Sequence, residues 1–574
     1  MFDWLKRRNS PPSPAASPET TSVDALIAQA DVLRESGQRD LALAAYLQAH
    51  KSDAQRIYPL YWLATLEEEC GRFDEALAYC QRALALDAGQ IGLLLRAASI
   101  TVALGDDVAA LENYQRVAAL DPDAPGIDAH LADQYCRLGQ LRDGVEAFDR
   151  ALARTPDDAI LQSNRLFVLN YSELLTAEQL FAEHQSWGSR HEAVLRATWH
   201  PFEYNRDPGR RLKVGLVSAD LRAHAVANFV EPWLRAHDRN QIESHCFDVS
   251  ADPEDATTAS MRGLAHSWHR VADLGDAALA ARIRAAGIDI LLDLSGHTRG
   301  NRLLVFARRP APVQATWLGY LNTTGLTAMD YRLTDDNLDP PGMTAQFHTE
   351  SLARLAAHAC FAPASETPEV VPSPVNQGHP LTFGSVNQWP KVSASVKDLW
   401  AKMLKQLPEA RLFVIARGAN HPAVRSRIVD SFVQRGVRAE LLEVFPFMPT
   451  AEFLRLLGRV DIALDSFPYG GGTTTMQCLW MGVPVLTIKG RVAMSRNSVG
   501  ILDAVGLADL AVDTPAEYVQ TGVTLGRDVA RLVVLRQQLR GRMAASRVTD
   551  AGSFARDMER ALRDMWITYC NRNN

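Results

Sequence analysis

The sequence predicts an array of paired helices followed by two α/β domains, and three observations lead to this fold class. First, four glycines are evenly spaced by 34 residues, namely Gly37, Gly71, Gly105 and Gly139. Second, residues 211–335 and 381–488 form two series in which apolar runs of strand length alternate with helical stretches. Third, a Pro-rich segment, residues 361–380, separates the two series. A chain of 574 residues is too long for one hydrophobic core, so several domains are expected.

The glycine spacing predicts helix–turn–helix repeats. Each glycine suits the turn, where positive φ is tolerated. Five residues later comes a small residue that lets the paired helices approach, in turn Ala42, Ala76, Ala110 and Gly144. This period is typical of tetratricopeptide repeats, whose concave face generally binds extended peptide. We predict repeats over residues 23–192, with residues 159–192 as a degenerate last unit. A spacer or dimerisation role is the alternative.

Composition narrows the class of protein. Residues 1–22 are rich in Pro and Ser and predict a disordered tail without the apolar core of a signal peptide. No stretch approaches the roughly 20 apolar residues of a membrane span. The net charge of −7 argues against a nucleic-acid or membrane-surface partner. Seven scattered cysteines without a C-x-x-C pair indicate reduced thiols, so a cytoplasmic protein is predicted.

The two alternating series predict two doubly wound parallel sheets, in domains spanning residues 193–375 and 376–574. Ligand-binding loops lie at the carboxyl ends of the strands in such sheets. Two such Rossmann-like domains face to face form a cleft, as in the GT-B arrangement of nucleotide-sugar glycosyltransferases. A fold alone does not establish an activity.

The stretch "YGGGTTTMQCLWMGVP", residues 469–484, predicts an anion site. It follows an apolar run, residues 460–467, and its three glycines open a helix. Unpaired amides and the helix dipole favour negative charge there. Hydroxyl donors to phosphate oxygens are offered by Thr473, Thr474 and Thr475. The alternative is a glycine-rich turn with a threonine cap. Walker A is excluded because the Gly-Lys-Thr/Ser ending is missing.

The stretch "FGSVNQWPKVS", residues 383–393, follows the first strand of the same domain. Asn387 and Gln388 offer amide hydrogen bonds, and Lys391 offers a positive charge. A departing nucleoside diphosphate gains negative charge, which a fixed lysine stabilises in the transition state. A solvated surface lysine is the alternative.

The other α/β domain offers a base and a cleft. His224 lies in "SADLRAHAVANF", on the exit loop of the first strand, and histidine is easily poised as a base near neutral pH. A structural histidine is the alternative. Further residues predicted to line a sugar or acceptor cleft are Asp293, His297, Thr298, Gly319 and Tyr320. "HSWH", with His266 and His269, has no nearby cysteine or carboxylate, so no metal is predicted.

Five ordered blocks resemble the O-linked N-acetylglucosamine transferase family. They are "SADLRAHAVANF", "GHTRGNRLLVFARRPAPVQATWLGYLNTTG", "FGSVNQWPKVS", "LDSFPYGGGTTTMQCLWMGVPVLT" and "AMSRNSVGIL". They follow tetratricopeptide repeats, as in the family. The resemblance implies inverting transfer of N-acetylglucosamine from UDP-GlcNAc to Ser or Thr hydroxyls of proteins. It also implies that the repeats guide the acceptor and that neither a metal nor another cofactor takes part.

The resemblance also implies residue roles. Lys391 matches a family position at the diphosphate, and Gly472, Thr473 and Thr474 match the run that binds the phosphates. His224 matches a histidine proposed as the base. The other residues predicted to contact the donor nucleotide are Asn387, Gln388, Phe453, Thr475, Gln477 and Arg496.

Three departures from the family keep alternatives open. Animal members have His and Asp where this chain has Gly472 and Gln477. The Asp anchors the ribose hydroxyls in the family, so its replacement by Gln477 bears on donor affinity and nucleotide choice. Phe453 replaces a frequent His against the uracil, and its ring can stack there. One alternative is a tetratricopeptide scaffold with a weakly active or inactive transferase domain. Another is a transferase that uses GDP-fucose, as in a related plant branch, or UDP-glucose.

Overall fold

The computed structural model describes residues 21–202, 205–364 and 367–571. Residues 1–20 of the predicted disordered tail lie outside the described residues, and the first helix begins at Thr21. The chain divides into two compact units, Met1–Thr155 and Pro156–Asn574.

The first unit consists of consecutive helix pairs. Its helices are α1 Thr21–Glu35, α2 Arg39–Ser52, α3 Ile57–Glu69, α4 Phe73–Leu86, α5 Ile91–Ala103, α6 Asp107–Leu120, α7 Ile127–Arg137 and α8 Leu141–Arg154. The four periodic glycines lie at the turns within pairs, each with φ between 74° and 78°. The first three of the small residues are fully buried, namely Ala42, Ala76 and Ala110. The predicted repeat is therefore confirmed in these four units.

The second unit opens with two helices, α9 Ala159–Leu169 and α10 Ala177–Ala193. We call residues 159–193 the hairpin. The sequence predicted this segment as a degenerate last repeat and placed the domain boundary after residue 192. The two compact units meet after Thr155, and side chains of the hairpin bond to loops of the first sheet, as described below. The domain boundary after residue 192 stays a prediction.

The first sheet is parallel throughout, with strand order β3-β2-β1-β4-β5-β6-β7. Its strands are β1 Leu212–Ser218, β2 Ile242–Asp248, β3 Ser267–Arg270, β4 Ile290–Asp293, β5 Val313–Thr316, β6 Tyr331–Asp335 and β7 Ser351–Leu355. The connecting helices are α11 Ala227–Ala236, α12 Ala256–Leu264, α13 Asp276–Ala285 and α14 Leu303–Phe306. Apolar side chains on both faces of β1 are buried, as covered parallel strands require.

The second sheet is also parallel, with order β10-β9-β8-β11-β12-β13. Its strands are β8 Thr382–Ser385, β9 Arg411–Ile415, β10 Leu442–Phe445, β11 Ile462–Leu464, β12 Val485–Ile488 and β13 Ala511–Val512. The helices are α15 Ala394–Gln406, α16 Pro422–Val433, α17 Thr450–Leu457, α18 Thr473–Trp480, α19 Asn497–Ala504, α20 Pro515–Arg527 and α21 Val529–Ala544. The strand order reverses direction between β8 and β11, where ligands bind in such sheets.

A final helix, α22 Ala551–Asn571, returns to the first sheet. Its Phe554, Leu562 and Trp566 are buried in the core of that sheet. The predicted second domain, residues 376–574, thus contributes a helix to the first. Among the described residues, no helix is both long and apolar enough to cross a membrane. Two parallel α/β sheets behind helical repeats confirm the predicted fold class.

Candidate functional site

The exit loops of β8 and β11 meet at the point where the second sheet reverses its strand order. Asn387 follows β8, and its Nδ2 donates to Asp465 Oδ1 at 2.8 Å. Asn387 Oδ1 accepts a hydrogen bond from the hydroxyl of Thr474 at 2.5 Å. One amide therefore ties the loop after β8 to the loop and helix after β11.

Asp465 anchors the glycine loop. One carboxylate oxygen accepts from the backbone N–H groups of Ser466 at 2.9 Å and Gly471 at 2.7 Å. The other accepts from the hydroxyls of Thr487 at 2.7 Å and Ser498 at 2.6 Å. Burial raises the pKa of Asp465, although these hydrogen bonds favour the charged form. The sequence analysis missed this residue, and the signal was an acidic residue between a buried strand and glycines.

The loop leaves no room for side chains. A Cβ at Gly471 would lie 2.8 Å from Thr475 Oγ1 and 2.9 Å from Asn387 Oδ1. A Cβ at Gly472 would lie 2.5 Å from Asn497 Nδ2. The glycine at 472 thus has a packing reason in this chain.

The three threonines at the start of α18 differ in their bonding. Thr474 donates its hydroxyl proton to Asn387. Thr475 lies 2.9 Å from Ser498 Oγ, and Ser498 gives its own proton to Asp465, so Thr475 donates to Ser498. Within the described residues, no partner is seen for the hydroxyl of the half-buried Thr473. Thr474 and Thr475 therefore use their hydroxyl protons within the protein. The donors still predicted to bind phosphate are the hydroxyl of Thr473 and the first amides of α18.

Lys391 lies beside this helix terminus. It ends a short 3₁₀ turn after β8, and Val392 forms an antiparallel bridge with Pro468. The ammonium nitrogen lies 4.4 Å from the centre of the Tyr469 ring. Burial lowers the pKa of Lys391 to about 8, against the opposing charge of Asp465. The loop that carries Lys391 thus contacts both the glycine loop and the first turn of α18, and the roles of these residues toward a nucleotide stay predictions.

The other residues predicted to bind the nucleotide are spread over the second sheet. Gln388 is exposed beside Asn387, and Gln477 is half-buried on α18. Arg496 donates from Nε to the carbonyl of Asn337 at 2.8 Å and from Nη1 to the carbonyl of Gly490 at 3.1 Å. It therefore links the loop after β12 to the loop after β6 of the first sheet.

A cavity of about 480 Å³ lies at the carboxyl end of β10. This volume is within the range of small-molecule sites. Phe453 is half-buried on α17, next to the lining residue Glu452, but does not itself line this cavity. The lining residues are Phe445, Pro446, Phe447, Met448, Pro449, Glu452, Arg455, Leu456 and Arg459.

His224 lies on the exit loop of β1. Its side chain is 41% exposed, and its Nδ1 lies 3.6 Å from a carboxylate oxygen of Asp220. Partial burial lowers the pKa of His224, and the charge of Asp220 opposes this shift. An exposed, neutral imidazole at a strand exit is able to accept a proton.

Asp293 shapes the loop after β4. Its carboxylate accepts from the N–H groups of Ser295 at 3.1 Å and Gly296 at 2.8 Å, and from the Thr316 hydroxyl at 2.8 Å. Burial raises its pKa to about 6. Thr298 donates its hydroxyl to the carbonyl of Ser295 at 2.8 Å. These polar groups are bonded within the loop.

His297 joins that loop to the hairpin. Its Nδ1 accepts from the Ser163 hydroxyl at 2.6 Å, and its Nε2 donates to the carbonyl of Thr324 at 3.0 Å. The ring is fully buried, which lowers its pKa well below the usual value. It also meets the Trp187 ring edge-on, with centroids 4.6 Å apart. His297 is therefore a neutral residue in the packing of the hairpin.

Tyr320 makes a second connection to the hairpin. His184 Nδ1 donates to the carbonyl of Leu180 at 2.7 Å, so its Nε2 accepts from the Tyr320 hydroxyl at 2.6 Å. Asn170 Nδ2 donates to the same hydroxyl at 2.7 Å. Next to Tyr320, a Cβ at Gly319 would lie 2.0 Å from the carbonyl oxygen of Leu294.

The first sheet thus places Asp293, His297 and Tyr320 in packing contacts, and their role toward a sugar stays a prediction. For metals, no group of three or more His, Cys, Asp or Glu side chains that could hold an ion is found in the described part of the chain. The metal-free chemistry suggested by the sequence is likewise still a prediction.

Fold and site together define a class of protein: a GT-B-type glycosyltransferase preceded by tetratricopeptide repeats. The chain belongs to glycosyl transferase family 41, which residues 179–363 and 377–558 match. Residues 58–90 match a tetratricopeptide repeat. The resemblance predicted from the sequence is confirmed.

Individual relatives agree with this family. The chain is 35% identical over 414 residues to a probable UDP-N-acetylglucosamine–peptide N-acetylglucosaminyltransferase, SPINDLY, of Petunia hybrida, covering 71% of this chain and 44% of the relative. It is 24% identical over 491 residues to the UDP-N-acetylglucosamine–peptide N-acetylglucosaminyltransferase of Caenorhabditis elegans, covering 64% and 42%. The chain thus spans less than half the length of these relatives.

A solved structure is similar over nearly the whole chain. It is a lysine-to-methionine mutant of the O-GlcNAc transferase of Thermobaculum terrenum, with 36% identity and a TM-score of 0.83. The match covers 90% of this chain and 98% of that chain.

Proposed function

We propose that this chain is an inverting glycosyltransferase that moves N-acetylglucosamine from UDP-GlcNAc to Ser or Thr hydroxyls of proteins. The observation that carries the proposal is the convergence of Lys391 with the glycine loop and the first turn of α18. Two relatives are named as UDP-N-acetylglucosamine–peptide N-acetylglucosaminyltransferases, which supports the donor and the acceptor class.

The leaving group is the nucleoside diphosphate. As the bond from the sugar carbon to the phosphate oxygen breaks, charge develops on the diphosphate. The first amides of α18, the Thr473 hydroxyl and the Lys391 ammonium stabilise that charge. Because these groups are fixed before the reaction, no divalent cation is needed in this proposal. The cavity at the end of β10 offers a volume for the nucleoside half.

Inversion follows from a single displacement. The acceptor hydroxyl attacks the sugar carbon on the face opposite the diphosphate, and its proton passes to a base. His224 suits that role because its imidazole is partly exposed and its lowered pKa keeps it neutral near pH 7. The tetratricopeptide unit would guide the acceptor, since such repeats bind extended peptide.

A different donor is the second candidate. Gln477 stands on α18 where animal relatives have an aspartate against the ribose, and an amide donates where a carboxylate only accepts. The candidates are GDP-fucose and UDP-glucose. A non-catalytic scaffold is the third candidate, with weak or no nucleotide binding.

The test uses the full chain with a peptide mixture and each of the three nucleotide sugars in turn. Mass spectrometry of the peptides identifies the sugar transferred, and calorimetry with UDP and GDP measures binding without turnover. We expect addition of one N-acetylhexosamine with UDP-GlcNAc and tighter binding of UDP than of GDP. Addition only with GDP-fucose or UDP-glucose would change the donor. If no heat of binding is measured with millimolar UDP or GDP, the result would favour the non-catalytic scaffold.

A further inference from the structure

Two tyrosine rings enclose the ammonium group of Lys391. Its nitrogen lies 4.4 Å from the ring centre of Tyr469 and 5.5 Å from that of Tyr171. The two rings meet edge-on, with centroids 5.0 Å apart and an interplanar angle of 86°. Both tyrosines are more than 90% buried. Aromatic faces attract an ammonium group at these distances.

The two rings come from different parts of the second unit. Tyr469 lies in the glycine loop, where the Ser466 hydroxyl donates to its carbonyl at 2.7 Å. Its hydroxyl lies close to the backbone of Leu321, in the exit loop of β5. Tyr171 lies in the turn of the hairpin, just after α9. The enclosure of Lys391 is therefore built where the hairpin and both sheets meet.

Tyr171 is held firmly in that turn. Phe167, one helical turn earlier, meets its ring edge-on at 5.0 Å. The preceding residue, Asn170, donates to the Tyr320 hydroxyl and accepts from Asn322 Nδ2 at 2.8 Å. The attachment of the hairpin to the first sheet thus fixes a ring over a lysine of the second sheet.

We propose that Tyr171 is a positioning residue, which together with Tyr469 holds the Lys391 ammonium against the diphosphate of a nucleotide sugar. A free lysine side chain has many rotamers, and ordering it costs entropy when it binds. The two rings restrict those rotamers in advance and keep water away, so that the charge acts in a low dielectric. The hairpin is then part of the donor site. This inference rests on the proposed function.

The enclosure has a signature that does not depend on catalysis. The titratable groups facing Lys391 are Asp465, Tyr171 and Tyr469. Burial is the main cause that lowers the pKa of Lys391 to about 8, and the rings of Tyr171 and Tyr469 lie next to its ammonium group. Removing the ring at 171 admits water, so this pKa should return toward the ordinary value of a lysine.

The first experiment compares Tyr171→Leu with Tyr171→Phe in the full chain. Acetylation of Lys391 is followed by mass spectrometry as a function of pH, with the exposed Lys402 of α15 as internal reference. We expect the labelling midpoint of Lys391 to rise in Tyr171→Leu and to stay unchanged in Tyr171→Phe, which keeps the ring. Phe181→Leu, on α10 of the same hairpin, is the matched control for loss of a ring elsewhere.

The second experiment measures UDP and GDP binding by calorimetry on the same variants. A cation–aromatic contact of this kind corresponds to a loss of about tenfold in affinity in Tyr171→Leu. Tyr171→Phe should restore it. Equal labelling midpoints and equal affinities in the Leu and Phe variants would overturn the role of Tyr171.

The proposal can still be tested if Tyr171→Leu does not fold or if no nucleotide binds. If Tyr171→Leu does not fold, the wild-type protein still decides: a Lys391 midpoint equal to that of Lys402 would overturn the enclosure. If the wild-type protein binds neither UDP nor GDP, the proposed function falls, whereas a midpoint shift confined to Tyr171→Leu would still support the enclosure. The two ideas thus fail by different measurements.

Discussion

The exit loops of the two sheets differ in how their polar groups are used. In the second sheet, Lys391 and the first turn of α18 present charge and amides with few bonds to the protein. In the first sheet, the polar groups of Asp293, His297 and Tyr320 are already hydrogen-bonded to the loops and to the hairpin. Position at the carboxyl end of a strand therefore does not by itself identify a ligand contact. The bonds already made by a side chain decide what it has left to offer.

The largest effect on the second sheet's site is expected from Lys391→Met, which roughly keeps the length of the side chain and removes the charge. Loss of one charge from the developing diphosphate should lower turnover about 100-fold or more. The melting temperature should not fall, because a buried cation is costly. Lys402→Met, at an exposed position of α15, is the control. Full turnover in a folded Lys391→Met protein would contradict the role of the charge.

The contacts between the first sheet and the hairpin should instead affect the stability of the protein in acid. Burial lowers the pKa of His184 to about 4, below its unfolded value near 6.5. The unfolded chain therefore binds more protons between these pH values, and the free energy of unfolding should fall by about 3 kcal/mol from pH 6.5 to 4 through this group. Urea unfolding at several pH values checks this. His184→Gln should flatten the slope, and an unchanged slope would exclude His184 as the cause.

A matched pair of buried aspartates separates the two sheets further. Asp465→Asn and Asp293→Asn each lose one acceptor oxygen, so each should cost about 2 kcal/mol of unfolding free energy. Only Asp465→Asn disturbs the glycine loop, so only this variant should weaken UDP binding. Chemical denaturation and calorimetry measure the two effects. If both variants weakened UDP binding equally, the predicted difference between Asp465 and Asp293 would be wrong.

The pH dependence of turnover reports on Lys391. Because its pKa is lowered to about 8, the free enzyme loses the ammonium charge above that pH. We expect kcat/KM to decrease about tenfold per pH unit above 8, since that ratio reports the free enzyme. Bound diphosphate favours the charged lysine, so kcat should decrease only at higher pH. A flat kcat/KM up to pH 10 would argue against the charge.

The smallest effects distinguish neighbouring threonines. Thr473→Val removes a hydroxyl with no protein partner among the described residues, so UDP affinity should fall about fivefold with little change in stability. Thr474→Val removes the bond to Asn387, so it should lower stability by about 1 kcal/mol. The reverse pattern would show that Thr474, not Thr473, faces the phosphate.

Much of the fold could be predicted from the sequence because it is encoded locally. The glycine period predicted the repeats, and the alternation of strands and helices predicted both sheets. The loops at Asn387, Lys391 and Gly472 were also predicted correctly to lie together, since neighbouring parallel strands bring their exits to one edge.

The rest depended on contacts between distant parts of the chain. The helical pattern of the hairpin does not say what it packs against, so its bonds to loops of the first sheet were not predicted. Tyr171 and Asp465 were missed because their roles arise from partners far along the chain, namely Lys391 and Asn387. For His297, the sequence shows a polar residue at a strand exit, but only the bond to Ser163 shows that it is buried in packing.

The return of α22 to the first sheet has a consequence for synthesis. Phe554, Leu562 and Trp566 belong to the core of a sheet whose strands lie far earlier in the chain. While the ribosome synthesises the second sheet, the apolar surface of the first sheet that α22 covers is still exposed. Chains usually fold from the amino end as they emerge, yet here the earlier sheet is completed only by a helix translated after the whole of the later one.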